Sequence, residues 1–378
     1  MTKFPYKIAI ALCSALLLTA CIQEEPLNAE ADILTCRLFS DKDILMLEAD
    51  TLMNIPSTTE SIEIPILTGA DLHSRAPQFD ITEGATIEPA SGSTHDFSGG
   101  KSVRYTVTSE NGKWKRSYNV SYLSVELTTR FDFEEYVLTS NDKYHQIIER
   151  VDGRPIMNWW GTGNPGYLLA NGNATPTEYP SAIVPNGKSG NCLQLVTQYA
   201  GSFGKLKGMP IAPGNLFLGS FDLAKALKAP LTATRFGLPF RQIPQRIKGY
   251  YKFKSGEKMT DENYNPIAGK DSFNIYAMFY ENTDEKGEEV IIDGTNSNND
   301  RHIVLYGKIK EQKETNEWTS FSIEMEPMNG KKIDSQRLEN FGYNFAIVFS
   351  SSLKGDIFTG AVGSTLLIDE VEVECEEK

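Results

Sequence analysis

The chain is poor in the residues from which most reaction centres are built. Only four histidines occur, His73, His95, His145 and His302, each standing alone, and the five cysteines show no C-x-x-C spacing. Zinc sites and disulfide frameworks need closely spaced or evenly paired ligands, so neither is indicated. There is no Gly-x-Ser-x-Gly elbow, and isolated histidines offer no Ser-His-Asp set. Gly187-Lys188-Ser189 has the end of a phosphate-binding loop without its beginning, because Ala182 stands where the first glycine belongs. Positive charge is short as well: 37 Lys+Arg against 50 Asp+Glu leave a formal charge of −13. That balance argues against nucleic acid and anionic membrane surfaces as ligands and leaves neutral glycans, cations or basic partners. Long apolar runs are missing too; the run from Ile8 to Leu18 falls short of the roughly 20 residues that cross a bilayer.

What is present begins with that run. Lys3 and Lys7 flank it on one side and Leu18-Thr19-Ala20-Cys21 closes it, the layout of a signal peptide with a lipobox. Residues 1–20 are read as the cleaved signal and 21–30 as a tether. The layout is similar to that of bacterial lipoproteins, which implies cleavage before Cys21 and acylation of that residue; several acyl chains hold a protein on a membrane. No Asp follows Cys21 directly, and Glu24-Glu25 resembles the surface-export tag of Bacteroidetes lipoproteins, the alternative being a merely acidic, solvated tether. The expected location is therefore the outer membrane, lipid-anchored, at the cell surface, with a periplasm-facing anchor as the alternative. Cys36, Cys192 and Cys375 remain, and buried free thiols are expected.

Residues 31–126 alternate short β-prone runs with turns: Ile33 to Phe39, Ile44 to Leu47, Ile62 to Leu67, Val103 to Thr108 and Trp114 to Tyr122. The last two read as a hairpin across Asn111-Gly112, a dipeptide that tolerates the positive φ angles of a two-residue turn. About a hundred residues of this kind suit an immunoglobulin-like sandwich. Trp114, on a strand just past the turn, is expected to pack rather than meet a ligand. Asp50-Thr51-Leu52 looks like an O-glycosylation signal.

Residues 127–378 are strand-rich throughout, with one helical segment near Asp222 to Leu227. The fold class is all-β, the immunoglobulin-like unit being followed by a larger β-jelly-roll sandwich. Periodicity supplies the detail. Phe273, Ile275, Ala277 and Phe279 share a core-facing side, while Asn274, Tyr276, Met278 and Tyr280 share the other, aromatic but polar-tipped and suited to line a groove. Phe321, Ile323 and Met325 point inward and Trp318 outward, at a strand start where packing under a loop is favoured. Tyr343 to Phe349 is apolar on both sides, as a strand covered on both faces would be. In the final strand Leu367, Val371, Val373 and Cys375 fall on one face with Asp369. An inward carboxylate needs a partner. A structural calcium held by Asp369 with Asp132 or Glu134 is one answer; a hydrogen-bonded or Arg-paired aspartate is the favoured one. No other cofactor is indicated. The 293–300 loop, rich in Asp and Asn, lacks EF-hand spacing and is read as solvated.

Pro210 to Phe221, Ala229 to Gly237, Lys248 to Phe253, Ile275 to Ala277 and Gly360 to Val371 resemble the carbohydrate metabolism domain of Bacteroidetes lipoproteins across essentially all of residues 127–378. The segment from Ile81 to Gly92, with Asp96 to Ser98, Tyr105 to Gly112 and Tyr118 to Val120, resembles the Ig-like spacer modules of the same lipoproteins. The resemblance implies a jelly roll akin to carbohydrate-binding modules, and it supplies no catalytic residues.

Flat rings lie well against the apolar faces of pyranose units, and amides read hydroxyls. The expected glycan site is therefore Trp159 or Trp160 with Tyr167 and Tyr276, oriented by Asn164 and Asn274. Trp159 and Trp160 are adjacent, so an extended chain turns one inward and one outward. The expected role is glycan binding in carbohydrate acquisition. A hydrolase or lyase is the alternative; glycoside hydrolysis needs two carboxylates roughly 5 to 9.5 Å apart, and Asp271, Glu281 and Asp293 are candidates. An adhesin or spacer is the third reading.

Overall fold

The strand Tyr343–Ser350 shows how the larger domain is built. Tyr343, Phe345, Ile347 and Phe349 enter one hydrophobic core while Ala346 and Val348 enter a second on the opposite face. Alternating side chains reach opposite faces, so a strand apolar on both must be covered on both. This arrangement belongs to a computed structural model that describes residues 26–37, 52–55, 58–68, 70–139, 142–151, 153–157 and 159–377. The signal segment, Cys21, the run Ile44 to Leu47 and Asp50-Thr51 lie outside the described residues.

Among the described residues the second domain is built round two large sheets packed face to face, a jelly-roll type of sandwich, with three smaller sheets beside them. One runs in the order Trp160–Gly161, Asn215–Phe221, Tyr343–Ser350, Asn274–Glu281, Ile303–Lys308 and Glu326–Pro327. The other runs Ser181–Pro185, Asn191–Val196, Thr365–Cys375, Pro244–Lys254 and Thr315–Glu324, with Arg130–Phe131 beside the last strand through Phe131 and Val371. Phe273, Ile275, Ala277 and Phe279 meet Phe321 and Ile323 between them, as the alternation requires. Met325 joins that core as well.

The first domain is a smaller sandwich. Leu52–Asn54, Ile33–Arg37 and Gln78–Ile81 form one sheet; Ser61–Leu67, Lys115–Val125, Val103–Thr108 and Thr86–Glu88 form the other. Ile33, Ile64, Tyr105 and Tyr118 fill its core with the buried thiol of Cys36. The hairpin is present, but its loop is longer than two residues. Asn111 Oδ1 accepts the Lys113 N–H at 2.9 Å, and Ser109 Oγ accepts that of Trp114 at 3.1 Å, so side chains close the turn. Trp114 lies 63% exposed and does not pack as expected.

Three further departures have local causes. Asn164–Ala170 is a helix rather than a loop, Pro165 occupying the first turn where its missing N–H is harmless. Gly201–Leu206 and Ser335–Glu339 are helices beside the expected one at Leu223–Ala226, which Asp222 caps by accepting the Lys225 N–H. In the last strand the core takes Leu366 and Ile368, then Val371 and Val373. Leu367 is not among them, because pairing with Pro244–Lys254 shifts register between Lys248 and Tyr250 and Glu370 adopts φ +50. A bulge of this kind moves every later side chain to the other face. No helix among the described residues is long and apolar enough to cross a membrane.

Candidate functional site

On the outer face of the sheet that holds Tyr343–Ser350, register brings together residues far apart in sequence. Asn215, Ser350 and Asn274 are direct neighbours across three strands. One step along the same face lie Phe217, Val348, Tyr276 and Lys308. A row of amides and a hydroxyl thus runs beside a row that is mostly ring and methyl. Loops and short helices rise round these rows and leave a solvent-open cavity of about 340 Å³. Its walls come from Tyr167 and Ala170 of the first helix, Phe203 of the second, Leu227 and Leu231, the loop bearing Ser297 and Asn298, and Asp356 with Phe358.

Several contacts hold this frame. Asn215 Oδ1 accepts the Gly163 N–H at 2.7 Å, fixing the start of the Asn164–Ala170 helix to the floor. Asn164 donates from Nδ2 to the Ser181 carbonyl at 2.8 Å and accepts the Ser181 N–H at 3.1 Å. Burial lifts the Tyr276 phenol well above its usual range, with Ser297 at its hydroxyl pulling the other way, so it remains a neutral donor. Burial likewise raises Tyr306 to about 12, its ring centroid 6.1 Å from that of Tyr276. Asn274 Oδ1 is buried without a hydrogen-bond partner among the described residues. The protein's own groups therefore leave that oxygen unpaired.

Of the six residues expected to bind a glycan, Tyr167, Asn274 and Tyr276 line this cavity together. The other three do not. Trp159 is 0% exposed within the core. The half-buried Trp160 packs on Phe131, Phe133 and Phe349, its centroid 5.0 Å from that of Phe131. Its Nε1 donates to Glu149 Oε1 at 2.7 Å. The expectation of one outward tryptophan is thus corrected: both indoles serve packing, because Trp160, on the short strand Trp160–Gly161, is covered by Phe131, Phe133 and Phe349. Asn164 is 0% exposed and acts as a clamp. Trp318 is half-buried beneath Lys252.

The carboxylates are equally informative. Asp271 is 5% exposed; its Oδ2 accepts from Ser352 Oγ, Ser364 Oγ and the Ala361 N–H at 2.6, 2.7 and 2.8 Å. Glu281 pairs with Lys331 and Arg337, and Asp293 closes its own loop through Thr295. Among the described residues that line the cavity, Asp356 carries the one carboxylate. The trio Asp132, Glu134 and Asp369 does not converge either. Asp369 accepts the N–H groups of Lys188 and Ser189, Glu134 accepts that of Asn191, and Asp132 is exposed. Among the described residues no group of three His, Cys, Asp or Glu is placed to hold a metal ion.

Asn215, Phe217 and Ser350 escaped the sequence reading, although the alternation that marks Asn274 and Tyr276 marks them too. Phe203 and Asp356 lie on short helical segments without periodic signal and were not readable.

Known proteins place this geometry in a family. The model of the "Putative carbohydrate metabolism domain" family matches residues 132–374. The chain belongs to that family. The domain's outer-face cavity thus lies wholly within the matched region, and the SGBP N-terminal domain matches residues 45–121 ahead of it. A crystal structure described as a putative glycoside hydrolase from Bacteroides thetaiotaomicron is 44% identical over 95% of this chain and 100% of that one, with a TM-score of 0.69. A second so described, from Bacteroides vulgatus, is 42% identical over 66% of this chain and 98% of that one, with a TM-score of 0.61. No curated protein matches the sequence.

Proposed function

We propose that this carbohydrate metabolism domain binds a neutral glycan in the cavity on its outer sheet face, and that the protein acts in glycan capture. The observation that carries the reading is the cavity floor, where Asn215, Ser350 and Asn274 stand beside the part-exposed ring of Tyr276. Rings supply contact area to the C–H faces of a sugar, and the amides and hydroxyl read its O–H groups. Lys308 and Asp356, one of each sign, stand at the exposed edge, so the lining has no bias toward an acidic sugar. The two family matches, to a carbohydrate metabolism domain and an SGBP N-terminal domain, support the same class of ligand.

The first domain serves in this reading as a spacer, and lipid on Cys21 tethers the protein at the outer membrane with the cavity toward the medium. The lipobox and Glu24-Glu25 support that placement.

Hydrolysis is the second reading, favoured by the description of the Bacteroides relatives. It needs a pair of carboxylates across a bound bond, and among the described residues Asp356 is the one carboxylate that lines the cavity. Binding is therefore preferred. A glycan-array screen of wild type, Tyr276→Ala and Asn274→Ala tests it: signal on neutral glycans should fall in both variants, and unchanged signal in both would remove the cavity as the site. Release of reducing ends from the bound glycans would move the assignment to the enzyme.

A further inference from the structure

Beside the cavity mouth stands a pair of rings that no core uses. Tyr199 is 37% exposed and sits on the ribbon Gln198–Tyr199, paired with Ile211–Ala212, both of which line the cavity. The helix that follows carries Phe203, a cavity wall 42% exposed. Tyr199 meets Tyr264 at 5.0 Å between centroids with an interplanar angle of 34°. Lys205 Nζ lies 5.7 Å from the Tyr264 ring centroid, and Lys207 Nζ lies 5.8 Å from that of Phe203. Three part-exposed rings with two ammonium groups thus extend outward from the cavity.

The backbone under Tyr264 is unusual. Its φ is +66, a left-handed conformation costly for a bulky aromatic residue. A tight polar turn maintains it: Asp261 Oδ1 accepts the N–H groups of Asn263 and Asn265 at 3.0 and 2.7 Å, and the Asp261 carbonyl accepts that of Tyr264 at 2.9 Å. Tyr264 belongs to none of the hydrophobic clusters. Core packing is therefore not the reason this position carries a ring.

We propose that Tyr199 and Tyr264 form a second subsite, a shelf outside the cavity that takes the following units of a neutral oligosaccharide whose end occupies the cavity. This rests on the cavity binding a glycan. Tilted rings receive the apolar faces of successive sugar units, and Lys205 and Lys207 donate to their hydroxyls. A lone monosaccharide fills the cavity without reaching the shelf, so affinity rises with chain length until the shelf is covered.

Calorimetric titration of the full chain with cello-, xylo-, manno- and chito-oligosaccharides of one to six units tests this. In wild type at least one ladder gains affinity with length. Tyr199→Ala and Tyr264→Asn, the latter chosen because Asn tolerates the left-handed backbone, each erase about tenfold of that gain and leave the shortest ligand unchanged. Tyr276→Ala weakens every length. Thermal unfolding of each variant within a few degrees of wild type excludes misfolding. A gain that persists in both shelf variants, or no gain with length in any ladder, overturns the shelf while leaving the cavity. Loss of the gain in the shelf variants with Tyr276→Ala silent overturns the cavity reading instead.

Discussion

The carboxylate of Asp369, on the last strand, accepts the backbone N–H groups of Lys188 at 2.5 Å and Ser189 at 3.1 Å. The turn that has half the sequence of a phosphate-binding loop does cradle an anion, and the anion is the protein's own side chain. Gly187 is required there, since a Cβ at that position would come within 2.7 Å of Asp369 Oδ2. Glu134 takes the Asn191 N–H at 3.0 Å, so the hairpin turn is gripped from two sides. Removing Asp369 takes the acceptor from two amide donors on a part-buried turn, a loss of about 1–2 kcal/mol. Asp369→Ala should lower the urea midpoint accordingly, and a variant as stable as wild type would contradict the role.

Glu149 gives the pH dependence. It is 4% exposed, and burial pushes its carboxyl up to about 8, opposed by the hydrogen bond from Trp160 and reinforced by Asp132. Because the folded value exceeds the unfolded one, the native state keeps a proton that the unfolded chain has lost. The group's contribution is full below the unfolded value near 4.5 and is lost as pH rises through about 8. Asp369, raised by burial to about 6, works in the same direction over a narrower window. Denaturant titrations at pH 5.5, 7 and 8.5 should show stability falling with pH by at most about 1.4 kcal/mol per unit from Glu149. Glu149→Gln, which mimics the protonated acid and still accepts from Trp160, should flatten that slope; an unchanged slope would clear Glu149 of it.

Trp159 and Trp160 are expected to report on packing alone. Trp159→Ala should cost about 3–5 kcal/mol, as truncation of a buried aromatic residue does. Trp160→Phe, a milder change, should weaken folding while leaving glycan affinity at the wild-type value, measured on the glycans the array identifies. A selective loss of binding in Trp160→Phe with unchanged stability would return the site to the tryptophan loop.

Asp271 is expected to behave as a structural anchor. Its Oδ2 ties Ser352, Ala361 and Ser364 together next to the cavity. Asp271→Asn places an N–H₂ or a weaker acceptor among three donors, and the thermal midpoint should drop by several degrees. If a glycan-cleaving activity is found and Asp271→Asn abolishes it without altering the midpoint, the residue is catalytic instead.

Strand periodicity in the sequence determined the all-β class, the two faces of Asn274–Glu281 and the double burial of Tyr343–Ser350, since side-chain direction along a strand repeats every two residues whatever surrounds it. It equally determined that Asn274 and Tyr276 share a side. Tertiary structure decided the rest. That Trp160 is roofed by Phe131 and Phe133, that a bulge at Glu370 returns Val371 and Val373 to the core and leaves Asp369 on the face of the Lys188 turn, and that Asn215, Ser350 and Asn274 stand in one row all depend on strand neighbours tens to more than a hundred residues apart. Register between such strands is fixed by the packed core they jointly bury, and no local pattern in any one of them records it.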